Sequence, residues 1–355
     1  MQLKNVLNTL SALVLSLSCS LVVAAQACPT CPDDLSQPGN NKGAQTVLLT
    51  GPAANNANTL SSMIGGFVSG GGGSQNAGLD VKRYSLSGST GAAAAPGGKA
   101  WNVWGAYSYS DIAYQFSPLR SSGDVKVGLA GIDYTFDNNV ILGVAAGYDR
   151  TDVDLNFSSG KLTGNGYTVA PYIGMLINKN FAIDATIGFG RTNVDTLATI
   201  PPSLGGGIVT GSTHSDRNLG SLGLTYREVF GAWTLTGRAG LLTVHDKLGA
   251  YTLSNGTFVP DGTVNLTQAR LTAMAAYTVG SVTPYASISY INDLSRPDQA
   301  PIGGVAAAND RDAWTPAVGV RFRFDNSLYG SVQYSSEQRS EVRNNQFLIN
   351  LGIRF

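Results

Sequence analysis

Neither sign of charge dominates this chain. Lys and Arg number 23, Asp and Glu number 23, and charged residues make up only 13% of the sequence. No basic surplus exists to neutralise phosphates, so nucleic acid is not expected as a partner. Metal ligands are scarce too: two His and three Cys, with Cys19 in the leader, offer no metal constellation. No metal or cofactor is expected. Beyond the N-terminal leader no apolar stretch reaches the roughly 18 residues that a membrane-crossing helix needs.

The shortage of His also thins out catalytic arrangements. His245-Asp246 lies at the top of a strand, but sequence neighbours on a strand point to opposite faces and form no dyad by adjacency. His214 falls in a predicted loop, and nothing singles out a Ser beside it. Gly205-Gly206-Gly207 follows Pro201-Pro202 and precedes no helix, so it is no phosphate cradle. The chain is read as a non-enzyme with no catalytic residues.

What is present is glycine, 44 residues of it, and 43% hydrophobic residues. The N-terminus reads as an export address over residues 1–27: Lys4, an apolar run from Val6 to Ala25, and small residues in Ala25-Gln26-Ala27. Cleavage after Ala27 leaves Cys28 first. Cys28 and Cys31 form Cys-Pro-Thr-Cys, read as an oxidised or ordinary thiol pair. The alternative is a lipid on Cys28. A thioredoxin-like site would need a βαβ pattern around the motif, and none is there.

Residues 28–99 are rich in Gly, Ala, Ser, Pro and Asn and do not read as a packed domain. One stretch within them, 53–68, has helical spacing through Ala53, Ala57, Leu60, Ile64 and Phe67. Pro52 sits in its first turn, and Gly65 and Gly66 weaken it. It is too short to be helical unless something packs on it.

From residue 100 the pattern changes to alternation, and about twelve strands can be marked. The last is the clearest: Phe347, Ile349, Leu351, Ile353 and Phe355 share one face, and Gln346, Asn350, Gly352 and Arg354 the other, broken only by Leu348. Short turns, such as Asn178-Lys179-Asn180 and Gly280-Ser281, alternate with longer polar connections near 112–125, 155–165, 195–217, 248–262, 293–313 and 338–344. Phe181, Ile183, Ala185, Ile187 and Phe189 oppose Asp184, Thr186, Gly188 and Gly190. A charge facing lipid at mid-depth costs roughly 2–4 kcal/mol, so the charged face must point into a wet lumen. Asp133, Asp184, Arg238, Arg270, Arg321 and Arg323 are therefore expected inside, where the arginines can meet Asp133, Asp149, Asp184 and Glu337. An open sheet edge in lipid leaves backbone groups unpaired, so the strands must close. The fold predicted is an all-β, closed antiparallel transmembrane barrel over 100–355, with aromatic girdles near the strand ends.

Bacterial outer-membrane barrels end on such a terminal Phe, and their assembly machinery recognises it. Phe347, Ile349, Leu351, Ile353 and Phe355 are thus expected to act as an assembly signal. The resemblance narrows with Ala100-Trp101-Asn102-Val103-Trp104-Gly105, Gly131-Ile132-Asp133-Tyr134 and Leu142-Gly143-Val144-Ala145-Ala146-Gly147-Tyr148, followed by Asp152-Val153-Asp154-Leu155. In order and spacing these resemble the start of an autotransporter β-domain, and the resemblance covers about residues 100 to 355. It implies a twelve-stranded barrel in the outer membrane of a Gram-negative bacterium, a pore helix before the first strand, and export of an N-terminal passenger. This chain departs from that pattern: no sizeable passenger fits between Ala27 and Trp101, and the candidate helix ends about 30 residues before the first strand rather than abutting it. Asn55-Asn56 is similar to the Asn pair at which some family members cleave themselves, but here it reads as a polar helix start.

Two functions follow. The first is a translocator-type pore or anchor for a short N-terminal segment, with outer-membrane lipid, the barrel-assembly machinery and a passenger or the chain's own segment as partners. The alternative is a surface structural, adhesin-like or porin-like barrel acting through its extracellular loops. The Gly- and Ala-rich loops carry few aromatics to anchor a ligand, which favours the translocator.

Overall fold

The computed structural model describes residues 57–59, 61, 101–115, 120–136, 140–155, 159–200, 207–295, 311–324, 327–340 and 342–355. The leader, Cys28 and Cys31, Asn55-Asn56 and the Gly-rich stretch up to residue 100 lie outside them. The strands are β1 (Trp101–Tyr114), β2 (Ser121–Phe136), β3 (Val140–Leu155), β4 (Gly160–Leu176), β5 (Phe181–Ile200), β6 (Gly207–Phe230) and β7 (Trp233–Leu248). After them come β8 (Tyr251–Thr252), β9 (Phe258–Val259), β10 (Gly262–Tyr277), β11 (Val282–Ser295), β12 (Asp312–Arg323), β13 (Leu328–Gln338) and β14 (Val342–Arg354). All but β8 and β9 form one closed antiparallel barrel of twelve strands in sequential order. The small β8–β9 hairpin sits in the connection after β7.

The seam is sealed at the ends of the chain. β1 pairs with β14 from Asn102↔Arg354 to Tyr114↔Val342. Trp101 N–H donates to the Phe355 carbonyl at 3.1 Å, and Phe355 N–H donates to the Trp101 carbonyl at 3.0 Å. Both ends therefore lie on one rim, the rim of the short turns. There Val279 and Val282 exchange two backbone hydrogen bonds around Gly280-Ser281, and Gly280 takes a φ of 59° that only glycine adopts without strain. At Asn178-Lys179-Asn180 the Asn178 carboxamide caps the Asn180 and Phe181 N–H groups, each at 2.9 Å.

Outward positions carry the lipid-facing band. Ile187, Leu222, Leu235, Leu271, Ile288, Val318 and Leu351 are all exposed, as a barrel in lipid requires. Aromatic pairs bound it. Trp101–Tyr134, Phe181–Tyr226 and Trp233–Tyr277 have ring centroids 5.0, 5.0 and 4.9 Å apart on the short-turn rim. Tyr290–Trp314, centroids 5.1 Å apart, with Tyr148 and Tyr167 paired in register, marks the other boundary. Phe347, Ile349, Leu351, Ile353 and Phe355, expected to act as an assembly signal, all take outward positions on β14 or at its end. Leu348, which broke the alternation, points inward and joins the buried cluster.

Two expectations need correction. Several predicted loops are largely strand. β5 runs to Ile200 and β6 begins at Gly207, so most of 195–217 is paired ladder. Likewise β1 extends through Tyr114, β2 starts at Ser121, β4 at Gly160 and β14 at Val342. These extensions stand above the aromatic boundary, where the outer face meets water instead of lipid and loses its apolar residues, while Val153, Leu162 and Val194 stay buried on the inner face. Side-chain bridges stand on the outer face instead: Arg191–Asp216 at 2.6 Å and Lys161–Asp152 at 2.6 Å, both exposed. The hydrogen bond to Asp152 raises the Lys161 pKa above its ordinary value.

The lumen, moreover, is not uniformly polar. Ile112, Val125, Val127, Leu129, Ile141, Leu242 and Leu266 are buried on the inner face in one cluster. An inner wall is apolar where something packs against it, and Ala57 belongs to the same cluster.

Candidate functional site

The twelve strands enclose one lumen, and among the described residues its inward side chains form several polar groupings. Near the short-turn rim, Tyr172 donates its hydroxyl to Asp133 at 2.7 Å and Asn102 donates to the same oxygen at 3.0 Å. Trp104 Nε1 donates to the Tyr172 hydroxyl at 2.9 Å, and Tyr329 donates to Asn102 at 2.8 Å. Arg354 lies over the Tyr329 ring, 4.7 Å from its centroid. Each ring fits because its cross-strand partner is glycine: Trp104 opposite Gly131, Tyr172 opposite Gly143, Tyr329 opposite Gly352. A Cβ at any of these three glycines would collide with the ring. Trp101 and Trp104 take outward and inward positions respectively.

At mid-height Arg238 grips Asp184 with both terminal nitrogens, at 2.5 and 2.8 Å, and donates to Thr225 at 3.0 Å. This bidentate geometry is the strongest form of ion pair. Higher up, Arg217 lies between Asp246 at 3.0 Å and Asp149 at 3.5 Å, all three buried. Beside it in the same lumen Arg339 reaches Asp293 at 2.8 Å and Glu337 at 2.9 Å.

Helical residues 57–59 and 61 stand inside this wall. Ala57 and Thr59 are buried. Asn58 Nδ2 donates to Gln268 Oε1 at 3.1 Å, and Gln346 Nε2 donates to Thr59 Oγ1 at 2.9 Å. Gln268 in turn donates to Asp293 at 2.7 Å. A relay therefore runs from the helix through Gln268 and Asp293 to Arg339 and Glu337.

The six charges expected in the lumen all occupy inward positions. Asp184 and Arg238 meet each other, and Asp133 meets hydrogen-bond donors. Arg270 lies near Glu337. Arg321 meets no carboxylate but the face of Tyr285, 4.4 Å from the ring centroid. Arg323 stands half-buried at the end of β12 toward the short-turn rim. Sequence reading missed Arg217, Asp246, Asp293 and Arg339. Continuing the alternation of Leu219 back to Arg217, and of Leu242 and Val244 on to Asp246, would have placed the first two inside. His245 instead points outward, its Nδ1 hydrogen-bonded to the Asn265 side-chain carbonyl at 2.5 Å. Among the described residues no three His, Cys, Asp or Glu side chains gather as a metal site, and no described helix is long and apolar enough to cross a membrane.

A closed twelve-stranded barrel with a lipid-facing band, two aromatic boundaries and a helix inside a polar-lined lumen is a transmembrane translocator-type barrel. The autotransporter β-domain family model matches residues 115–335, and the chain belongs to that family. Its fold is similar to the translocator domain of autotransporter NalP from Neisseria meningitidis, at 15% identity and a TM-score of 0.62, covering 73% of this chain and 90% of that one. The β-domain of the Bordetella autotransporter BrkA matches at 16% identity and a TM-score of 0.59, covering 72% of this chain and 99% of that one. The transport unit of AIDA-I from Escherichia coli matches at 13% identity and a TM-score of 0.52, covering 90% and 99%. No curated protein sequence matches the chain.

Proposed function

We propose that the barrel sits in the outer membrane of a Gram-negative bacterium and carries its own N-terminal segment through the lumen, where the segment is held as an anchor and plug. The observation that carries this reading is the seating of residues 57–59 and 61 inside the lumen, with Ala57 in the apolar cluster and Asn58 and Thr59 bonded to the wall. An amphipathic piece too short to be helical alone gains a partner on every side there. β1 begins on the short-turn rim, the periplasmic side, so the chain that links the helix to Trp101 must leave the lumen through that mouth. Residues ahead of the helix then have two exits, and export places them at the outer surface. The role is one of transport and anchorage rather than catalysis.

Cysteines at Asn58 and Gln268, in a background without Cys28 and Cys31, test the seating. A disulfide should form in intact outer membranes and shift the folded band on a gel. A tag inserted after Cys31 tests export: it should be labelled by antibody on whole cells. Absence of the disulfide would overturn the plug, and a tag reached only after the cells are opened would overturn export.

A further inference from the structure

Below the helix the lumen holds a cavity of about 250 Å³, lined among others by Arg238, Arg270, Arg321 and Arg339. Around it stand three carboxylates: Asp184 behind Arg238, and Asp293 and Glu337 beside Arg339 and Arg270. Four guanidinium groups thus share three carboxylates, and the one left over is Arg321. Of its five N–H donors, one points at the Met274 sulfur at 3.0 Å, a weak acceptor, and the group stacks on Tyr285. No described residue offers it an oxygen. Arg321 is half-buried in the lumen wall, and a guanidinium is shaped to take an oxyanion on two parallel N–H groups.

We infer that this cavity is a binding site for one small oxyanion, a carboxylate or phosphate group held by Arg321 in the lumen below the helix. Chloride is the wrong shape for the fork, and the cavity has room for a few heavy atoms beyond the head group. Beside Arg321 the wall also offers the apolar Met274 and the Tyr285 ring.

The test is isothermal titration of the protein extracted from membranes in a nonionic detergent, in Tris chloride at fixed ionic strength. Inorganic phosphate and butyrate are the two probes, and the tighter one identifies the head group. One site per barrel should saturate. Arg321→Gln should weaken binding at least about tenfold, the loss expected for one charge-assisted bidentate contact. Arg323→Gln, which leaves the cavity lining untouched, should bind as the parent does. Ser287→Phe fills the cavity without altering a charge and should abolish binding, and it decides the matter if Arg321→Gln fails to fold. The proposal is overturned by absence of saturable heat from the parent. It is equally overturned if Ser287→Phe, or a folded Arg321→Gln, binds as tightly as the parent.

Discussion

At the scale of single residues the lumen turns on paired removal. Asp184 is almost wholly buried, with a side-chain exposure of 1%, and its carboxylate meets Arg238 with two hydrogen bonds. Asp184→Leu alone strands a guanidinium and should cost about 3–5 kcal/mol in denaturant unfolding of the folded barrel. Adding Arg238→Met should recover most of that loss, because the pair's net worth is far smaller than the cost of breaking it. If both variants unfold at the same denaturant concentration, the pair is not coupled. The glycine opposite a ring offers a second case. Gly143→Val drives a branched side chain into Tyr172 and should cost about 1–3 kcal/mol of overpacking. Combined with Tyr172→Ala it should cost less than the sum of the two single changes, and strictly additive losses would show that the ring is not what the glycine accommodates.

At the scale of elements the strands that cross lipid were legible and their extensions were not. Ile187 and Leu351 must be apolar and Asp184 and Asn350 must not, so the alternation announces both the strand and its inward face. Above the aromatic boundary Arg191, Asn193, Asp195 and Asp216 face water on an outer side that has no reason to be apolar. The same ladder continues there without a sequence signal. The lumen charges Asp133, Asp184 and Arg238 were readable because period-2 counting needs no partner. Arg339 was not, since it lies in the connection after β13 and its direction comes from Asp293 on β11, far away in sequence. The apolar inner patch was hidden for a related reason: Val125 and Leu242 are inward and apolar because a helix packs there, a fact that strand periodicity does not carry. The last strand yields a prediction of its own. Phe355→Asp keeps the ladder partners of β14 but replaces the outward ring at the rim, and folded barrel in the outer membrane should drop severalfold, read as heat-modifiable band by immunoblot. Parent levels of folded barrel would mean that the terminal ring carries no signal for assembly.

At the scale of the whole molecule the lipid-facing surface and the lumen should respond oppositely to charge. Ile187 stands at mid-depth on the outer face, 58% exposed. Ile187→Arg should cost roughly 2–4 kcal/mol in lipid bilayers. Thr186→Arg, one residue away and pointing into the lumen, should insert with far less penalty. A reversal of these two results would turn the barrel inside out relative to the faces assigned here.

The seam also imposes an order of events in time. Trp101 and Phe355 are bonded across the closing edge, yet they stand at opposite ends of the barrel sequence. Until β14 docks on β1 the ring is open along that edge. Once it closes, Trp104, Tyr172 and Tyr329 lie along the wall near the mouth at Trp101, each over a glycine of the next strand. The interval between synthesis of β1 and docking of β14 is therefore the window in which Ala57 and Asn58 are most easily enclosed. A change that hastens closure trades completeness of loading for speed of folding.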